Sequence, residues 1–263
     1  MAAHELIGSR LAIRGVPVFM YHDVCADSVS GDRYAVTLAR FCEHLSLLRE
    51  QAFAVQDLPG LAGASSGRRA VLTFDDGLSS HYERVFPALL ERGLTATFFV
   101  TTGRLGALGF LSWSQLREMS AAGMTIGSHG REHIDYCTLE SAAARRELHD
   151  SRVALEDGLG RAASTFSAPY GFLNRSLIES ARQAGFDWIC SSLPWLASVG
   201  ARVVPRLAIY HDTDARRFAA LANGNVLPLV VRRTRNALLF LPKQLLRRGA
   251  PERFGVQVRQ EIE

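Results

Sequence analysis

Two short segments hold residues suited to hydrolytic chemistry. Thr73-Phe74-Asp75-Asp76-Gly77 places two carboxylates side by side after an apolar run, Ala70–Phe74. Two adjacent buried carboxylates stay ionised only if a cation or hydrogen-bond donors compensate them. An isolated Asp-Asp-Gly is more often a solvated turn, but the apolar run before it points to the reactive end of a sheet. In Ser128-His129-Gly130-Arg131-Glu132-His133 two histidines are four residues apart. That spacing lets both face one cation if the segment takes a helical turn. Alone, such a pair is a weak signal. With a carboxylate from another strand end it makes three N/O ligands with positions left for water, the pattern of a catalytic rather than a structural metal.

The rest of the chain supplies elements to carry these groups. Short β-rich runs recur at Val16–Tyr21, Phe53–Val55, Ala70–Phe74, Thr95–Val100, Thr125–Ile126, Thr165–Ser167, Trp188–Ser191 and Val203–Tyr210. Segments of helical spacing separate most of them: Val36–Glu50, Tyr82–Arg92, Ser114–Ala122, Thr138–Leu159 and Ser176–Ala184. Gly93, Gly123 and Gly185 stand where helix-ending glycines belong. Thr138-Leu139-Glu140-Ser141 reads as a capping box at the start of the longest helix. Strand and helix alternating about seven times predict an α/β fold, a parallel sheet with helices outside, which closed on itself is a distorted (β/α) barrel of about seven strands. In such a barrel the reactive groups lie at the carboxyl ends of the strands, and His22, Asp75, Asp76, His129 and Tyr170 all follow predicted strands. His44, His81 and His149 lie on helix-like stretches and read as solvent-facing.

With these motifs on the page, the chain resembles the polysaccharide deacetylases of the NodB-homology type, carbohydrate esterase family 4, over about residues 16–215. Thr73–Gly77 matches the family's TFDDG, and His129-Gly130-Arg131-Glu132-His133 matches its H-[ST]-x-x-H with Gly130 in the hydroxyl position. The resemblance implies Asp75 as catalytic base and Asp76, His129 and His133 as ligands of a divalent metal, zinc first, with Co²⁺, Ni²⁺ or Mn²⁺ accepted by the same donors. It also implies metal-activated water attacking the acetyl group of an N-acetylated sugar. Ser167-Ala168-Pro169-Tyr170-Gly171 is similar to the family's R-x-P-[YF]-G, which gives the Tyr170 backbone N–H an oxyanion role. Ser167 stands where many members carry the arginine that orients the base, and Arg206 is the candidate replacement. Trp188 corresponds to a tryptophan lining the acetyl pocket, although a plain reading makes it core. For the acid that protonates the leaving amine, Met20-Tyr21-His22-Asp23-Val24 matches the amino-terminal motif of a rearranged branch that includes biofilm-matrix deacetylases. His211, in Tyr210-His211-Asp212, is the alternative acid.

Composition narrows the remaining readings. The 48% of apolar residues can build a core, and the four cysteines form no CxxC pair, which argues against a disulfide framework. The net charge of +4 is concentrated. Arg232, Arg233, Arg235, Lys243, Arg247 and Arg248 fall in 232–248 without an acid, leaving the body near neutral and without a nucleic-acid signature. The reading divides the chain into an extension (1–15), a deacetylase barrel (16–220) and a basic amphipathic segment (221–263). Residues 226–248 suit peripheral contact with an anionic membrane and a lipid-linked glycan, or packing on the barrel with solvated cations. No signal-like run precedes Val16, and no window approaches the roughly 18 apolar residues of a membrane span. A cytoplasmic enzyme, peripheral at the inner membrane, is the resulting expectation. The competing readings are a deformylase or other amide hydrolase on the same scaffold, and a non-catalytic carbohydrate-binding relic.

Overall fold

The computed structural model describes residues 15–26, 32–63, 66–232 and 234. They fall in two units, Met1–Val226 and Leu227–Glu263. In the second, the described residues 227–232 and 234 are helical. The extension assigned to 1–15 lies outside the described residues except for Gly15, as does most of the basic 226–248 segment. Among the described residues no helix is long and apolar enough to cross a membrane.

The first unit is a curled parallel sheet with helices outside it. Its strands are β1 (Val18–Tyr21), β2 (Val24–Cys25), β3 (Val36–Thr37), β4 (Phe53–Gln56), β5 (Arg68–Phe74), β6 (Thr97–Val100), β7 (Thr125–Ser128), β8 (Thr165–Ser167), β9 (Trp188–Cys190), β10 (Val203–Val204) and β11 (Leu207–Ala208). Its helices are α1 (Leu38–Glu50), α2 (Phe86–Leu90), α3 (Trp113–Ala121), α4 (Ser141–Leu159), α5 (Arg175–Gln183) and α6 (Ala215–Ala222). The main sheet runs β10-β9-β8-β7-β6-β5-β1-β11, with β4 added beside β5, while β2 and β3 pair separately. All its ladders are parallel. β1 and β6 are buried along their whole length, as strands covered on both faces must be, and their near-continuous apolar sequences follow from that.

Curling is visible in the packing. Val18 of β1 and Val204 of β10 share one apolar cluster with Val71, Phe99, Trp188 and Cys190, although five strands lie between β1 and β10 in the pairing order. Ile189, between Trp188 and Cys190, faces the other way, into a layer with Phe166, Leu148 of α4 and Leu177 of α5. The predicted barrel is therefore present, with nine strands in the main sheet rather than about seven. The run Val203–Tyr210 divides at Pro205-Arg206 into β10 and β11, which pair with opposite ends of the sheet. α6 buries Phe218 and Leu221, and the compact unit continues past residue 220 to Val226.

Three local expectations need correction. The longest helix begins at Ser141 with Glu140 as its cap, while Thr138 closes a 3₁₀ turn by donating to the Asp135 carbonyl. The capping box is instead at α3, where Ser112 and Gln115 bond each other's backbones. His44 and His81 are fully buried. His44 lies on the inner face of α1 with Phe41, Leu45 and Leu48; it bonds the Tyr21 hydroxyl and the Thr213 carbonyl and stacks on Phe218 at 4.1 Å. All four cysteines are free.

Candidate metal and catalytic site

The site sits where β1, β5, β7 and β8 end, with Arg206 reaching in from between β10 and β11. Asp75 and Asp76 follow β5, His129 follows β7, and Ser167 closes β8. One ligand atom from each of Asp76, His129 and His133 lies within 4.8 Å of the others. His129 Nε2 is 3.3 Å and His133 Nε2 is 3.2 Å from Asp76 Oδ1. The sequence reading expected a helical turn to align the histidines. The segment is instead an irregular loop, with Gly130 at φ +81° and His133 at φ +47°. A Cβ at position 130 would come within 2.7 Å of the Tyr136 hydroxyl, so the absent side chain matches the local packing.

Asp76, at φ +78°, His133 and Tyr170, at φ +61°, are three of the four non-glycine residues with positive φ among those described. Such backbones cost on the order of 1–3 kcal/mol each and persist where the surroundings fix them. Here Asp76 and His133 belong to the converging Asp76–His129–His133 cluster, and Tyr170 lies against His133. The Glu147 carboxylate on α4 accepts the backbone N–H groups of Arg131 and Glu132 at 3.2 and 3.3 Å. It therefore pins the loop between the two histidines.

The donor set fits a cation. His129 Nδ1 is 2.9 Å from the Ser167 carbonyl, which can only accept. The neutral ring is then protonated on Nδ1, and its Nε2 lone pair faces Asp76. Asp76 Oδ1 is buried without a hydrogen-bond partner. A lone pair set against a bare carboxylate oxygen is unfavourable unless positive charge lies between them. The acid–base balance has the same sign. Burial would raise the Asp76 carboxyl, but contacts with protonated His129 and His133 outweigh it and hold the carboxyl well below its ordinary range. Burial would lower His129, and the charges of Asp75 and Asp76 raise it instead. The cluster calls for either protons or a metal ion.

Asp75 is held differently. Arg206 Nη1 and Nη2 reach Asp75 Oδ1 and Oδ2, both at 2.7 Å, and both side chains are buried. The guanidinium also donates to Thr73 Oγ1, the Ser191 carbonyl and Ser167 Oγ. Ser167 Oγ donates to Asp75 Oδ2 at 3.3 Å. Burial pushes the Asp75 carboxyl up, and Arg206 first, then His129, outweigh it and lower it. An arginine does stand against Asp75, reached from the Pro205-Arg206 link between β10 and β11 rather than from β8, and Ser167 lies against its guanidinium.

The remaining sequence candidates separate. His22 follows β1, is half-buried, packs on Tyr34 at a ring distance of 4.5 Å, and acts electrostatically on both carboxylates. Tyr170 lies beside the ligands, its ring 5.1 Å from that of His133. His211 is exposed, and its backbone bonds Arg33 and Arg40. Trp188 is not brought to the site. It pairs with Thr165 at the entry end of β8, two residues before the level of Ser167 and Cys190, and fills the barrel interior under the Arg202 guanidinium. Glu147 went unseen in the sequence reading because an acidic residue on a helix carries no signal of what it caps.

Comparison with known proteins agrees with this fold. Residues 62–189 match the polysaccharide deacetylase family. The chain carries a polysaccharide deacetylase domain. Across 145 residues it is 27% identical to a chitooligosaccharide deacetylase of Rhizobium leguminosarum bv. trifolii, covering 54% of this chain and 66% of that protein. The structure of IcaB from Ammonifex degensii superposes with a TM-score of 0.70 at 27% identity, covering 80% of this chain and 97% of that one. The deacetylase PplD of Streptococcus pyogenes shares the fold, with a TM-score of 0.73 at 20% identity, covering 80% of this chain and 99% of that one. The chain aligns with 42–66% of the length of the first curated relatives.

Proposed function

We propose that the protein is a metal-dependent carbohydrate N-deacetylase that hydrolyses the acetamido group of an N-acetylhexosamine unit in a glycan. The observation that carries this reading is the contrast at the end of β5. One carboxylate is neutralised internally by Arg206, and its neighbour converges with two histidines and lacks a donor. The likeness to IcaB, and 25% identity over 135 residues to a poly-β-1,6-N-acetyl-D-glucosamine N-deacetylase of Staphylococcus aureus, support an exopolysaccharide-type substrate.

Asp76, His129 and His133 would hold a divalent cation, zinc being the first expectation, which supplies Lewis-acid polarisation of water and carbonyl. Asp75 is the base. On the contacts above Arg206 and Ser167 occupy part of its lone-pair capacity, and Oδ1 keeps a position free to take the proton of the attacking water. The Tyr170 backbone N–H faces the developing oxyanion. His22 gives a proton to the departing nitrogen as the C–N bond breaks, so the products are acetate and a free amine. His211 is too exposed for that task.

The test is a screen of free, nucleotide-linked, lipid-linked and oligomeric N-acetyl sugars with metal-reconstituted protein. Acetate release is expected. Formate release from an N-formyl sugar with no acetate release would move the activity to another amide, and no release from any compound would leave a carbohydrate-binding relic.

A further inference from the structure

Beyond the residues assigned above lies a buried polar pair on the turn that follows Asp76. Ser80 and His81 are buried. His81 Nε2 is 2.7 Å from the His22 carbonyl oxygen, which can only accept, so the imidazole donates. Ser80 Oγ donates to Asp23 Oδ1 at 2.7 Å. Two consecutive side chains from one turn thus hold two consecutive residues of the loop after β1. His81 opens a π-helical turn, His81–Val85, closed by the Phe86 N–H reaching back to the His81 carbonyl. Wide turns of this kind are rare and occur often at functional sites.

Packing alone does not explain His81. Its ring sits against Phe74 and Phe98, with centroids 5.6 and 5.7 Å away, and its Nδ1 is buried without a partner. A phenylalanine or leucine would fill this space without an orphaned nitrogen, whose burial is unfavourable by on the order of 1–3 kcal/mol. What the imidazole adds is the bond to His22. That bond matters because His22 Nδ1 is itself buried without a hydrogen-bond partner, and the described aromatic contact of the ring is Tyr34. The direction of the His22 ring is therefore set through its backbone.

We infer that Ser80 and His81 are positioning residues that aim His22 at the leaving nitrogen. Base, metal ligand and acid clamp then come from one stretch, Asp75 to His81. The inference rests on the acid role proposed for His22.

The experiment compares an amide with an aryl ester on the full-length, metal-loaded protein. An N-acetylhexosamine oligomer needs a proton on its leaving nitrogen, whereas 4-nitrophenyl acetate releases a phenolate that leaves without one. His81→Phe removes the donor and keeps the bulk. Its kcat on the amide is expected to fall about tenfold to a hundredfold, with ester hydrolysis and metal content near wild type. His81→Gln, which restores an N–H at similar reach, should recover most of the amide rate, and Ser80→Ala should show a smaller loss of the same selectivity. Equal losses on amide and ester without rescue by glutamine, or an unchanged amide rate, overturn the inference. His22→Ala in parallel separates the two layers. If it spares the amide, the acid assignment has failed and the clamp falls with it; if it abolishes amide turnover while His81→Phe does not, only the clamp is wrong.

Discussion

Asp75 and Asp76 are neighbours in the chain and opposites in their surroundings. Asp75 faces a fully buried arginine that binds both of its oxygens. Asp76 is turned by a left-handed backbone toward two histidine nitrogens and keeps an oxygen without a donor. A protein that needed only stability would have satisfied both. The asymmetry supports the proposed division of labour, in which the protein keeps one carboxylate ionised and a cation completes the other.

The largest effect should come from breaking the Asp75 side. Asp75→Asn is expected to lower turnover between about 10²- and 10⁴-fold while retaining metal, measured by acetate release and elemental analysis. Activity near wild type would remove Asp75 as base. Next is Arg206→Met, which leaves a buried carboxylate uncompensated. Loss of one partner of a buried ion pair typically destabilises by about 3–5 kcal/mol, readable in urea unfolding. A change below about 1 kcal/mol would show that the pair is solvated in solution.

A buried histidine away from the mouth sharpens the comparison. Burial lowers His44 to about 4, against bonds to Thr213 that raise it. The unfolded chain takes up this proton near the ordinary histidine value of about 6.5. The unfolded state therefore binds more protons between those values, and stability should fall by about 3 kcal/mol as pH drops from about 6.5 to 4, then level off. His44→Gln should flatten that slope, and an unchanged slope would assign it elsewhere. The smallest effect belongs to Gly130. Gly130→Ser introduces a side chain at φ +81°, 2.7 Å from the Tyr136 hydroxyl, and should destabilise by on the order of 1–2 kcal/mol. Tyr136→Phe in the same chain should return part of that, and a neutral Gly130→Ser would show that the loop relaxes.

Much of this was legible in the sequence because the informative residues are local. Thr73–Gly77 and His129–His133 each fit in one short window, and alternating apolar runs announced the parallel sheet. Arg206 was readable as a candidate for the arginine missing at Ser167, since a basic residue after a proline within the apolar run Val203–Tyr210 stands out. Other features depend on three-dimensional direction. Trp188 occupies a motif position, but its place at the start of β9 puts it two residues below the mouth. His44 fell on the 41, 44, 45, 48 spacing of the buried face of α1, so its burial was available to a reader who trusted periodicity over polarity. His81 gave no such warning, because a π-helical turn breaks the 3.6-residue period that would have placed it.

The central claim is that Asp76, His129 and His133 hold the cation that makes Asp75 useful. The most direct test strips the protein with a chelator, titrates zinc back, and follows bound metal and acetate release together in wild type, His129→Ala and Asp75→Asn. The expected result is stoichiometric binding with activity rising in step in wild type, neither binding nor activity in His129→Ala, and binding without activity in Asp75→Asn. Full activity in the stripped wild-type protein, or unchanged metal binding in His129→Ala, would contradict it.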